Sequence, residues 1–156
     1  MNANELRIGN LVTISHKAVP ELNGHPIKVV GVYQNDIMGR KVGYTHSVLF
    51  EQNYYKDEYK NGEYPHTAFI KYIKPIPLTA EMLSELGFHF DFELNHEKVF
   101  SYNPDGRRIF SAVFCSKIDN TTTFKGRPIH LHDLQNIHFA LTGTELDVSS
   151  LYKKTD

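Results

Sequence analysis

The stretch Pro128–Leu146, PIHLHDLQNIHFALTGTEL, decides how the rest of the chain is read. It predicts a short buried strand that runs straight into a helix. Asp133 suits the N-cap, where its carboxylate accepts unpaired amides of the first turn. From there Leu134, Ile137 and Leu141 fall at i, i+3 and i+7 and line one helical face. Gly143 follows Thr142 where a left-handed residue ends a helix. A helix of roughly ten residues does not persist alone in water, so this one must dock on a sheet. Phe139 falls on the opposite side, near Gln135. Apolar residues on two sides indicate packing between elements or against a partner, and the expectation is packing within the chain.

The sheet is sought upstream. Thr79 reads as an N-cap, Glu81 favours the positive end of the helix dipole, and Leu78 with Leu83 has the spacing of a hydrophobic staple. Gly87 and Phe88 end that helix. Phe88–Leu94, FHFDFEL, then alternates, with Phe88, Phe90, Phe92 and Leu94 on one face and His89, Asp91 and Glu93 on the other. A strand over Lys98–Tyr102 and a turn over Asn103-Pro-Asp-Gly106 follow. Arg107–Ser116 is apolar on both faces, as a central strand would be. Asp119–Thr123 reads as a polar loop, and Val148–Asp156 as a polar tail anchored by Leu151 and Tyr152. The terminal helix is expected to cover this meander.

The first half carries strand patterns at Leu11–Ile14, Ile27–Tyr33, about Lys41–Phe50, and His66–Ile73. In the last of these Ala68, Ile70 and Tyr72 share one face, with Phe69 and Ile73 on the other. Turn signals at Gly9-Asn10, Asn23-Gly24 and Asn35–Gly39 separate the strands. Short strands at this spacing predict a small SH3-like barrel. Lys74-Pro-Ile-Pro77 is a stiff connector, so the expected halves are residues 1–75 and 76–156, which could share one core. The fold class is α+β, mainly β: the barrel, a helix, a β-meander and a closing helix.

Composition narrows the chemistry. The 156 residues carry a formal net charge of −1, with nine Tyr, ten Phe and no Trp. Such a charge collects no polyanion, and the basic residues between Lys98 and Arg127 are too few to argue nucleic-acid binding. The lone Cys115 excludes an internal disulfide and fits a reducing compartment. No apolar run approaches ~18 residues and Met1–Asn10 lacks a signal-peptide core, so a cytoplasmic protein is expected.

Few residues invite a reaction. Tyr54, Tyr55, Tyr59 and Tyr64 alternate with charges in EQNYYKDEYKNGEYP and make a recognition loop the most accessible binding candidate. An extended hairpin with the same tyrosines along its outer face would look identical. Arg107, Arg108 or Lys125 are the candidates for holding phosphate beside stacked tyrosines. His130 and His132, with Asp133 and His138 nearby, are the residues a metal would take from one side of a strand. HLHDLQNIH lacks the acid and histidine spacing of metal hydrolases, and His138 falls towards the apolar face, where a hydrogen-bonded histidine is commoner. No metal and no cofactor are therefore expected. Cys115 sits in an alternating strand and reads as an inert buried thiol. Asp91 and Glu93 share a predicted strand face some 7 Å apart, a separation that glycosidase carboxylates also show. Phosphate-loop, dinucleotide and nucleophile-elbow patterns are missing from the sequence.

ELRIGNLV (Glu5–Val12), IKPIPLTAEMLSELGF (Ile73–Phe88) and HLHDLQNIHFALTGTEL (His130–Leu146) together resemble a family of small proteins of Bacteroides-type bacteria, their phages and other mobile elements. The middle segment departs from the family at Ala80 and Met82–Ser84, and the tyrosine-rich loop has no counterpart there. The family carries no assigned activity, so no residue role transfers. The resemblance implies a bacterial or viral cytoplasmic setting and an accessory role. The expected function is a non-enzymatic binding protein with a host protein or small ligand as partner. The alternatives are a nucleotide-sequestering anti-defence protein and a metal-dependent hydrolase built on His130 and His132.

Overall fold

The computed structural model of the chain describes residues 2–17, 20, 23–34, 46–51, 66–115 and 121–152. It forms two compact units, Met1–Ile76 and Pro77–Asp156. Each contains one five-stranded antiparallel sheet, so the fold is α+β and mainly β. No helix among the described residues is long and apolar enough to cross a membrane.

In the first unit the strands are β1 (Leu11–Ile14), β2 (Pro26–Gln34), β3 (His46–Glu51), β4 (His66–Phe69) and β5 (Ile73–Lys74), in the order β4-β3-β2-β1-β5. Val12, Ile14, Ile27, Val29, Val48 and Ile73 form its core with Leu6. The turn before β1 is tied down at both ends. Gly9, at φ 93°, donates its amide to the Val29 carbonyl at 2.7 Å, and the Val29 amide returns to the Asn10 carbonyl at 2.8 Å. The buried Asn10 side chain also accepts from the Arg7 amide at 2.7 Å. Such a turn needs a left-handed glycine and a side chain that satisfies a loop amide, which Gly9-Asn10 supplies.

The expected continuous strand over residues 66–73 is broken by a 3₁₀ turn at Ile70–Tyr72. That turn changes the alternation. Ala68, Ile70 and Ile73 pack on the core, while Tyr72 leaves it. The edges of the sheet are β4 and β5, and among the described residues no pairing closes it into a barrel.

In the second unit α1 (Ala80–Glu85) leads into β6 (Phe88–Leu94), β7 (Glu97–Tyr102), β8 (Phe110–Cys115), β9 (Thr121–Phe124) and β10 (Arg127–Pro128), ordered β10-β9-β8-β7-β6. Helix α2 (Leu131–Thr142) follows. Two hairpin turns, Asn95-His96 and Lys125-Gly126, hold both residues at positive φ, the geometry that matches strand twist. As expected, β8 is the central strand. By contrast β9 replaces a predicted loop. Its threonines are polar but β-branched, and the hydroxyl of buried Thr122 donates to the Leu78 carbonyl at 3.0 Å.

The alternation of β6 also fails midway. Phe90 pairs with Phe100 and Phe92 with Val99, so Asp91 is the extra residue of a bulge. Beyond it every side chain changes face. Phe92 and Leu94 leave the side of Phe88 and Phe90, and Glu93 enters it. Exposures of 54% for Phe90, 52% for Phe92 and 62% for Leu94 replace the expected phenylalanine core face.

Helix α2 starts earlier than predicted, with His130 as N-cap rather than Asp133. Asp133 occupies the third helical position and its carboxylate accepts the His130 amide at 2.9 Å. Gly143, at φ 74°, ends the helix as expected. The buried face is Leu131, Leu134, Gln135 and His138, whereas Leu141 is 52% exposed and Ile137 half-buried. Counting only apolar residues rotates the face wrongly, because polar side chains with partners can fill core positions. His138 Nδ1 lies 3.0 Å from the Thr144 carbonyl, an acceptor only, so the proton in that bond belongs to Nδ1. The same imidazole meets Tyr102 of β7 edge-on at 4.9 Å, which seats α2 on the sheet.

Leu134→Ala is expected to cost about 2–5 kcal/mol of stability. Leu141→Ala should cost less than about 0.5 kcal/mol. Urea denaturation of the two variants followed by circular dichroism checks the difference.

Candidate binding surface

The bulge in β6 builds a groove. Its floor is Phe90 against Phe100, with ring centroids 5.8 Å apart at 69°, the edge-to-face arrangement aromatic pairs favour. One wall is the first turn and a half of α1, with Ala80, Glu81 and Ser84; the other is the cross-strand pair Glu93 and Lys98. The groove is open and encloses about 340 Å³. Had β6 continued its alternation, Glu93 would have faced away from it.

Local chemistry fixes the α1 wall. The Thr79 hydroxyl accepts the Met82 amide at 3.2 Å, and the Ser84 hydroxyl donates to the Ala80 carbonyl at 3.2 Å. The Glu81 carboxyl is held below its ordinary value by its own backbone amide first, then by a hydrogen bond with Thr79, with the Lys98 ammonium adding to both. An apolar side chain can rest on the rings while polar atoms of the same ligand reach Glu81, Glu93 or Lys98. No nucleophile with a neighbouring base lines the groove.

The opposite face of the sheet holds a polar chain. Arg108 Nη2 donates to Asp91 Oδ2 at 2.8 Å, the buried Ser101 hydroxyl donates to Asp91 Oδ1 at 2.8 Å, and Asn103 Nδ2 donates to Ser101 Oγ at 2.9 Å. The three bonds hold the bulged residue. Ser101 stands directly across from His89 in the register, yet its proton goes to Asp91 and its oxygen is out of solvent. That is a structural hydroxyl, not a nucleophile.

The sequence candidates distribute unevenly. Tyr54, Tyr55, Tyr59 and Tyr64 lie outside the described residues. Arg107 is exposed on the loop before β8, while Arg108 is engaged by Asp91. His130 and His132 do not share a strand face, since one caps α2 and the other lies in its first turn. Their rings stack at 5.9 Å, each with a nitrogen 3.4 Å from an Asp133 oxygen. Among the described residues no group of three or more His, Cys, Asp or Glu side chains can hold a metal ion. Asp91 and Glu93 end on opposite faces because of the bulge, which removes the paired carboxylates. Cys115 is buried as expected. Sequence reasoning missed the groove, because a bulge leaves no trace in a strictly alternating pattern.

Compared with models of known protein families, with curated proteins and with solved structures, the chain matches none. The class is therefore set by geometry alone: a two-sheet α+β chain with an open, apolar-floored groove on its second unit.

Asp91→Ala should cost about 1–3 kcal/mol, because it strands the buried Ser101 hydroxyl. Arg108→Ala should cost less than about 1 kcal/mol, since its partnership is largely solvated. Chemical denaturation of both variants tests the order. The depressed Glu81 value means that its ionised form favours the folded state at neutral pH, and this contribution is lost as pH falls through the lowered value. The difference in melting temperature between the wild type and Glu81→Gln is thus expected to shrink as pH falls into the acid range.

Proposed function

We propose that the chain is a non-enzymatic binding protein that accepts an apolar side chain of a partner protein in the groove over Phe90 and Phe100. The observation that carries this reading is the 54% exposure of Phe90 on a rigid strand, beside an aromatic partner and charged groups at the rim. Aromatic anchors with a polar surround are how recognition surfaces are built. Phe92 and Leu94 are exposed on the other face of the same edge strand and lie outside the groove.

The first unit is read as an open form of the SH3-like topology. The order β5-β1-β2-β3-β4 and the 3₁₀ turn joining β4 to β5 support that reading. The resemblance of three segments to proteins of phages and mobile elements supports an accessory role in a bacterial cytoplasm. The tyrosines at 54, 55, 59 and 64, outside the described residues, stay a separate candidate for partner contact.

Phe90→Ser combined with Glu93→Lys should leave the melting temperature unchanged and abolish capture of the partner that the wild type retains from host lysate. Retention of the same partner by the folded double variant would show that the groove is not the contact. Replacement of Tyr54, Tyr55 and Tyr59 by Ser, with capture as readout, separates the loop from the groove.

A further inference from the structure

We propose that the outer face of the first unit's sheet binds single-stranded nucleic acid, with bases on Phe69 and Tyr72 and phosphates at Lys71 and Lys74. Ile73 points into the core, so Lys74 after it in β5 takes the opposite side, and Tyr72, the last residue of the 3₁₀ turn, is half-buried outside the core. Phe69 joins them there, since Ala68 beside it packs inward. Phe69 is 40% exposed and its ring lies 6.4 Å from that of Tyr72, tilted by 52°, so the two rings offer separate stacking faces. His16 braces Tyr72 edge-on at 4.0 Å.

A lysine of the same turn stands beside both rings. The Lys71 ammonium stands 4.8 Å from the Tyr72 centroid and 5.7 Å from that of Phe69. Lys71 and Lys74 are exposed. The segments that form the patch, residues 13–17 and 69–74, contain Lys17, Lys71, Lys74 and His16 and no carboxylate. Whole-chain charge does not show such a clustering of lysines along two segments. A cation set directly over two rings delivers a phosphate beside a stacked base, the combination that single strands require. A duplex keeps its base faces covered and leaves only the phosphates to bind.

The test is fluorescence anisotropy of a fluorescein-labelled oligothymidylate of roughly 15 nucleotides, near the upper site size of small binding folds. Saturable binding is expected with a dissociation constant on the order of 10 μM at low salt. Two phosphate contacts predict a slope of log K against log salt of roughly −1.4. Phe69→Ala should weaken binding at least about fivefold. Lys71→Glu with Lys74→Glu should remove binding while the melting temperature holds; Lys71→Gln serves as the milder variant if the double reversal unfolds. Absence of saturable binding, equal binding by the charge-reversed chain, or a duplex of the same length bound as tightly would overturn the proposal. None of these outcomes bears on capture through Phe90, which lies in the other unit.

Discussion

A helix of 12 residues has no stability of its own in water, so α2 exists because a sheet is beneath it. The reverse also holds. An antiparallel sheet with phenylalanines on one face needs a cover, and the unexposed Leu131 and Leu134 supply it. The seat is unusually polar for a core contact. Gln135 and His138 occupy the same buried face, and His138 joins the helix to two neighbours at once, the Thr144 carbonyl beyond the helix end and the Tyr102 ring on the sheet. A hydrogen bond that fixes one tautomer also fixes the direction of the ring, so the helix has one rotation about its axis rather than several. That rotation is what leaves Phe139 and Leu141 on the outside.

The patterns that were legible in the sequence were those decided within a few residues. Thr79 caps α1, Gly143 closes α2, and the limits of β1 and β6 follow local alternation and turn chemistry. What was not legible required a partner far along the chain. The bulge at Asp91 is chosen by Ser101 and Arg108, ten and seventeen residues away. Thr122 becomes a strand residue because Leu78, forty-four positions earlier, offers a carbonyl. The 3₁₀ turn at Ile70–Tyr72 interrupts an apolar run whose period alone could not show it. Polar residues were a common source of difference: Gln135, Ser101 and Thr122 are buried, and Ser101 and Thr122 spend their hydroxyls on hydrogen bonds.

The same cause governs the candidate sites. His130 and His132 looked like a ligand pair only while residues 128–132 were taken as a strand. Once His130 is a cap, the two imidazoles share a carboxylate that is already bound to the His130 amide. Asp91 and Glu93 looked like a catalytic pair only while the strand was regular. Each of these residues is explained by a structural bond, and the groove over Phe90 arises from the one irregularity that dissolved the carboxylate pair.

The two surfaces that remain differ in kind. Around Phe90 the rim carries both signs of charge, with Glu81 and Glu93 facing Lys98, which suits a protein side chain of ordinary polarity. Beside Tyr72 stands the Lys71 ammonium, and the segments 13–17 and 69–74 contain no carboxylate. Each surface is complete within its own unit, so neither needs the units to hold a fixed arrangement in order to act. Selection on such a molecule would act on two small surfaces separately, and the stability of each sheet would be the only property both had to keep.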